Sequence, residues 1–244
     1  MTRWLWVALL FCCACTDTEG QLVAMHWSVG GDPAEREFTT DTGWQVTLEE
    51  AHAALESLFA IAPTRAEPGA VARLSRWLVP VARAHGGHDD AMGRRVRTEL
   101  LDVGPVDALA EPPRSEVESA EAGRVETLKI ELARSKELPS DAHGLTAYVR
   151  GTAERDGQRV EFSGGVQLAD DEAARRIEAR VGFELGEGGT LHVTLRPSEW
   201  FRQAEFERLP EGGEISLDNQ VGRALQIGVR SPDAYEVSWK ARKD

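Results

Sequence analysis

Cysteine disappears early: the only thiols of the 244-residue chain, Cys12, Cys13 and Cys15, fall at its very start. The body that follows therefore has no disulfide, thiolate zinc site, Cys-x-x-Cys redox pair or cysteine nucleophile. Basic residues are scarce as well, 28 Lys and Arg against 41 Asp and Glu, for a net charge of −13. Nonspecific nucleic-acid binding and a polybasic membrane face both need clustered cations, so this balance argues against each. Several signature motifs are also missing. There is no Walker A loop, no Gly-x-Gly-x-x-Gly after a strand, no His-Glu-x-x-His, no EF-hand loop and no Gly-x-Ser-x-Gly elbow. What remains is an acidic chain, 41% hydrophobic, long enough for one or two domains with a real core.

The N-terminus carries an address. One positive charge at Arg3 precedes an apolar run from Trp4 to Cys15, which the polar stretch Thr16-Asp17-Thr18-Glu19-Gly20 ends. A bilayer-spanning helix needs about 20 apolar residues, so this run is read as a signal peptide over residues 1–14 that is cleaved rather than folded. Small Ala14 directly before Cys15 resembles the lipobox of bacterial lipoproteins. The resemblance implies that the Cys15 thiol carries covalent lipid such as palmitate and becomes the first mature residue, with residues 15–20 as a tether. Cys13 is the competing site, because it would set Leu10 where lipoboxes carry leucine, and an unlipidated secretory signal is the other alternative. Acyl chains at roughly 0.8 kcal/mol per buried CH₂ would anchor the chain without a membrane-spanning helix. Thr16, standing where Asp would signal inner-membrane retention, points to the periplasmic face of the outer membrane.

Residues 21–244 read as a β-rich globular body. Gln21–Gly30 is a first strand ended by Gly30-Gly31-Asp32-Pro33. From Gly43, Trp44, Val46 and Leu48 alternate, but Leu55, Leu58 and Phe59 then fall at helical spacing. A strand to about Glu49 followed by a short helix is expected, with one continuous strand as the rival. Val71, Leu74, Leu78 and Val81 predict a helical insertion over 70–84, ahead of the Gly-rich loop 85–93. After a strand over 96–103, the polar stretch 111–116 is the best linker candidate and puts a possible internal boundary near 111–120, or serves as a sheet-crossing loop. Alternation then marks strands around 128–132, 145–149, 160–164, 177–183 and 191–195, with Asp156-Gly157 as a hairpin turn. Ser163-Gly164-Gly165 reads as a bulge or bend. Asp218 is the expected N-cap of a helix bearing Val221, Leu225 and Val229, and Tyr235, Val237 and Trp239 form a closing strand. The fold class is mainly β: an antiparallel β-sandwich with a short helical insertion and a helix near the C-terminus.

Metal chemistry has one local candidate, His85-Gly86-Gly87-His88-Asp89-Asp90. Two imidazoles and two carboxylates on a glycine-flanked loop suit copper or zinc, with His143 and His192 as further ligands if the fold brings them near. The competing reading is a solvated acidic loop. His26 and His52 are read as half-exposed or polar-face residues. Acidic pairs such as Glu49-Glu50 and Asp170-Asp171 are read as solvated faces, since 41 carboxylates make chance pairs common. Trp200, Phe201 and Phe206 read as a core plug, with a sugar-stacking platform as the rival.

With Gly43-Trp44-Gln45-Val46-Thr47-Leu48, the His85–His88 loop, Pro197-x-x-Trp200-Phe201 and Ala234-Tyr235-x-x-Ser238-Trp239 together, the chain resembles β-rich exported lipoproteins of bacteria. That resemblance implies a shared fold and a lipid anchor, leaves the activity open, and invites a metal-binding reading of the histidine loop. The functional expectation is a lipid-anchored cell-envelope protein, non-enzymatic, acting as a binding or structural module. Its partners would be the membrane, a metal ion or other envelope proteins, and no nucleic acid. The rival classes are an envelope hydrolase whose site assembles only in three dimensions and an assembly lipoprotein with an exposed apolar patch.

Overall fold

The structure, a computed structural model, describes residues 21–64, 94–112, 117–135, 142–186 and 188–242. Two sheets face each other. The smaller runs in the order β12-β10-β1-β5, built from β1 (Leu22–Gly30), β5 (Val117–Glu121), β10 (Gly189–Leu195) and β12 (Tyr235–Ala241). The larger runs β11-β8-β7-β3-β6-β9: β3 (Gln45–Ile61), β6 (Gly123–Leu132), β7 (Ala147–Arg155), β8 (Gln158–Val166), β9 (Arg176–Leu185) and β11 (Glu214–Ile215). Two further strands, β2 (Glu37–Thr39) and β4 (Val96–Asp107), pair with β3 off that path. The mainly β sandwich expected from alternation is the architecture found.

One core lies between the sheets. Met25 and Trp27 of β1 with Leu191 and Val193 of β10 pack in the same cluster as Leu48, Leu55, Leu128 and Ile130 of the larger sheet. An ionic contact also joins the layers: Glu121 of β5, 8% exposed, takes Arg95 just before β4 and Arg97 within it as partners. Arg97 further donates to the Ala122 carbonyl at 2.9 Å. A buried carboxylate survives there because its charge is met by guanidinium.

Four local expectations change. The segment after Glu49 is strand, not helix: β3 continues to Ile61, its residues 45–53 paired with β7 and 55–61 with β6. Register shifts between Leu48 and Glu50 and between Leu55 and Ser57 explain the misleading spacing. A bulge re-phases the strand by one residue, so Leu55 and Leu58, three apart, both reach the core as they would on a helix. Ladder hydrogen bonds on both sides then outweigh the helix propensity of its Ala, Leu and Glu. Second, pairing is not wholly antiparallel, since β1 with β10 and β8 with β11 run parallel. Third, β7 and β8 pair without interruption through Ser163-Gly164-Gly165, so no bulge forms. Glycine is needed for another reason: at Gly164, with φ +134°, a Cβ would lie 2.4 Å from the Ile215 carbonyl oxygen of β11. Fourth, the helix Gln220–Val229 is capped by Asn219, whose side chain accepts from the Gly222 N–H at 2.9 Å, one residue after the expected Asp218. The Asp156-Gly157 hairpin forms as expected, with φ of 53° and 80°. The helical insertion expected over 70–84 lies outside the described residues.

Candidate functional site: an open groove between two edge strands

The aromatic segment after β10 is core. Trp200 ends the short helix Pro197–Trp200, and it is fully buried together with Phe201 and Phe206. Phe206 packs on Phe162 at 5.0 Å, Trp44 at 5.6 Å and Phe201 at 5.7 Å between ring centroids, while Phe201 also meets Phe38 at 6.1 Å. These rings fill one end of the sandwich and offer no platform to solvent. The acidic pairs do surface work: Glu49 and Glu50 both hold Arg150, and the Asp171 carboxylate accepts from the Ala173 N–H at 3.1 Å.

The metal candidates are not assembled by what is described. His85, His88, Asp89 and Asp90 lie outside the described residues. His143 is exposed in the turn before β7, whereas His192 is half-buried on β10 in the other sheet. Register sets His192 between Ser28 of β1 and Ser238 of β12. Burial, and then the nearby Lys240, hold its imidazolium below the ordinary histidine range. Among the described residues no group of three His, Cys, Asp or Glu side chains could hold a metal ion.

A concave site does exist where the sandwich ends on one side. β9 is the last strand of the larger sheet and β12 the last of the smaller, and a groove of about 870 Å³ opens between them. That volume falls in the range of natural ligand sites. Its floor is apolar: Phe183 of β9 stacks on Trp239 of β12 with centroids 5.9 Å apart and planes 11° from parallel, flanked by Val181 and Val237. The stack bridges the sheet edges and closes the core beneath. One end is held by Tyr235, the first residue of β12, whose buried hydroxyl donates to the Val229 carbonyl at 2.8 Å. Burial pushes that phenol's pKa well above the ordinary tyrosine range, so it stays a donor. The rim is charged, with Glu199, Asp233, Glu236 and Arg196 on one side, where Glu199 pairs with Arg196 and Arg202, and Glu178 and Arg180 on the other. Glu178 is already engaged by both terminal nitrogens of Arg94, at 3.1 and 2.7 Å.

Alternation in the sequence marks both strands of this groove but not the groove, because periodicity shows which side chains face inward and not which edges stay unpaired. One signal was present. Gly182 sits inside an otherwise regular strand pattern, and its Cβ position meets nothing within 4 Å.

No protein-family model matches the chain, and no curated protein matches it as a relative. Among solved structures the chain is similar to MbnP from Methylosinus trichosporium, over 91% of this chain and 99% of that one, with 11% identity and a TM-score of 0.41.

Proposed function

We propose that this chain is a lipid-anchored cell-envelope protein that binds a ligand rather than transforming one, and that the β9/β12 groove is its ligand site. The groove carries the reading: an aromatic floor, charged rims and walls fixed by two sheets make a preformed concavity. Anchoring rests on the signal sequence and on Cys15. From Cys15 to Leu22, where β1 begins, seven residues reach at most about 25 Å. The Leu22 end of β1 is then tied close to the bilayer on the periplasmic side of the outer membrane. The Tyr235 end of the groove lies by the opposite end of β1, since Leu195 of the parallel strand β10 pairs with Tyr235. That arrangement presents the groove's Asp233 end away from lipid.

Two measurements test the parts separately. Amide hydrogen exchange of the purified full chain, with and without the uncharged apolar probe N-phenyl-1-naphthylamine, should show probe-dependent protection in 178–183 and 235–239; unchanged exchange there overturns the groove reading. Cys15→Ala should move the protein out of the membrane fraction, and an unchanged fraction overturns the anchor. Transition-metal binding through the His85/His88 loop is a sequence-based addition to this reading. It stands if zinc or copper binds stoichiometrically and His85→Ala/His88→Ala abolishes that binding.

A further inference from the structure

The two walls of the groove differ in kind. β12 pairs with β10 in unbroken register over seven residues, Tyr235 to Ala241, with no proline and no bulge. Among the described residues nothing pairs with its other side, and its outward N–H and C=O groups make no hydrogen bond. A regular, unpartnered edge of this kind is a template for another strand. β9 is not. Arg180 pairs with Thr127 and Phe183 with Val125, so Val181 and Gly182 together face the single residue Glu126. That bulge interrupts the β9 edge and leaves β12 as the side on which a chain can pair.

The space beside β12 suits an extended backbone. A strand added there would set every second side chain on the Phe183–Trp239 floor, because successive side chains alternate between faces. Gly182 opens the facing wall: its φ lies outside the left-handed region and a Cβ would meet nothing, so the fold itself does not require glycine. Glycine inside a strand marks a bulge or a place where another backbone comes close, and Gly182 sits in the β9 bulge with open space where its side chain would be. Charge selects the partner. Asp233 and Glu236 are exposed and form no ion pair among the described residues; Glu199 on the same rim is already held by Arg196 and Arg202, Arg180 lines the groove from β9, and the whole chain carries −13. Such a field attracts and orients cationic chains.

We propose that the groove takes an extended cationic segment of another polypeptide, added as a fifth strand on β12, with apolar side chains on the Phe183–Trp239 floor and alternate Lys or Arg side chains toward Asp233 and Glu236. This rests on the groove being a binding site, as proposed above.

The test uses the purified full chain and a fluorescent seven-residue peptide of alternating Lys and Val, matched in length to β12. Its Glu-Val counterpart is the charge control, and two versions N-methylated on either set of alternate amides control for backbone pairing. The Lys-Val peptide should bind at least ten-fold more tightly than Glu-Val. One N-methylated version should lose binding while the other keeps it, and β12 amides should become protected from exchange. Asp233→Lys/Glu236→Lys should weaken binding about ten-fold, since each reversal replaces an attraction at an exposed site by a repulsion. Gly182→Val should also weaken it by narrowing the wall, with an unchanged melting temperature showing that the variant folds. Equal binding of both N-methylated peptides overturns strand addition while leaving a ligand groove. Protection of β12 that rises with protein concentration in the absence of peptide assigns the edge to a second copy and overturns the proposal. Absence of protection with the peptides and with the apolar probe overturns this proposal and the groove reading together.

Discussion

Replacing Phe206 by alanine tests whether the aromatic segment is core. The ring is 1% exposed and meets three other aromatic rings, Trp44, Phe162 and Phe201, at 5.0 to 5.7 Å. Burying a phenylalanine side chain contributes about 1.5–3 kcal/mol, and each ring pair adds about 0.5–1.5 kcal/mol. Deletion also leaves a cavity among Trp44 before β3, Phe162 of β8 and Phe201 after the short helix, all of them buried. Measured Phe→Ala costs in cores run to about 3–5 kcal/mol, and three ring partners place Phe206 in the upper half, near 4.5 kcal/mol. Urea unfolding reads this directly. With a slope near ~3 kcal/mol/M for a chain of this size, the midpoint should fall by about 1.5 M at unchanged slope. Phe206→Leu keeps most of the volume and should cost about a third as much. A midpoint shift for Phe206→Ala below about 0.5 M, together with weakened binding of a maltooligosaccharide, would refute the packing argument and restore a sugar platform.

Tyr235→Phe removes the donor to the Val229 carbonyl and should cost about 1–2 kcal/mol in the same unfolding assay, because the acceptor stays buried. The folded state keeps that phenol protonated while the unfolded chain loses the proton near pH ~10, so wild-type stability should fall above that pH and the variant's should fall less. His192 has the opposite sense. Its folded pKa is lowered by burial and then by Lys240, so its contribution is present above about pH 6.5 and is lost as pH falls below it. His192→Gln should therefore flatten the decline in melting temperature between pH 7 and 5.5, and parallel curves for the two proteins would contradict this. Two glycine replacements should part company. Gly151→Ala pushes a Cβ to 2.2 Å from the Thr47 carbonyl oxygen and should cost about 2 kcal/mol or more, whereas Gly182→Ala should stay within about 0.5 kcal/mol of wild type.

The strands were legible wherever one face is buried and the other wet, as in β10, where Leu191, Val193 and Leu195 are buried and the residues between them are not. The plug was legible too, because three large aromatics in one short segment have few places to go except inward. β3 was not: its two bulges convert a period of two into apparent helical spacing, and a bulge is visible only as a mismatch with a partner strand. The Asn219 cap shows a smaller failure of the same sort, since Asp218 and Asn219 are both good caps and only the path of the chain chooses between them.

Residue identity and local periodicity are enough to define an acidic body with no cysteine after Cys15 and a mainly β fold. Tertiary structure decided that β9 and β12 each end a sheet, that Phe183 and Trp239, 56 positions apart in the chain, stack across the gap, and that a groove remains above them. Sheet order and edge pairing are set by long-range hydrogen bonds, and alternation along a single strand carries no record of them.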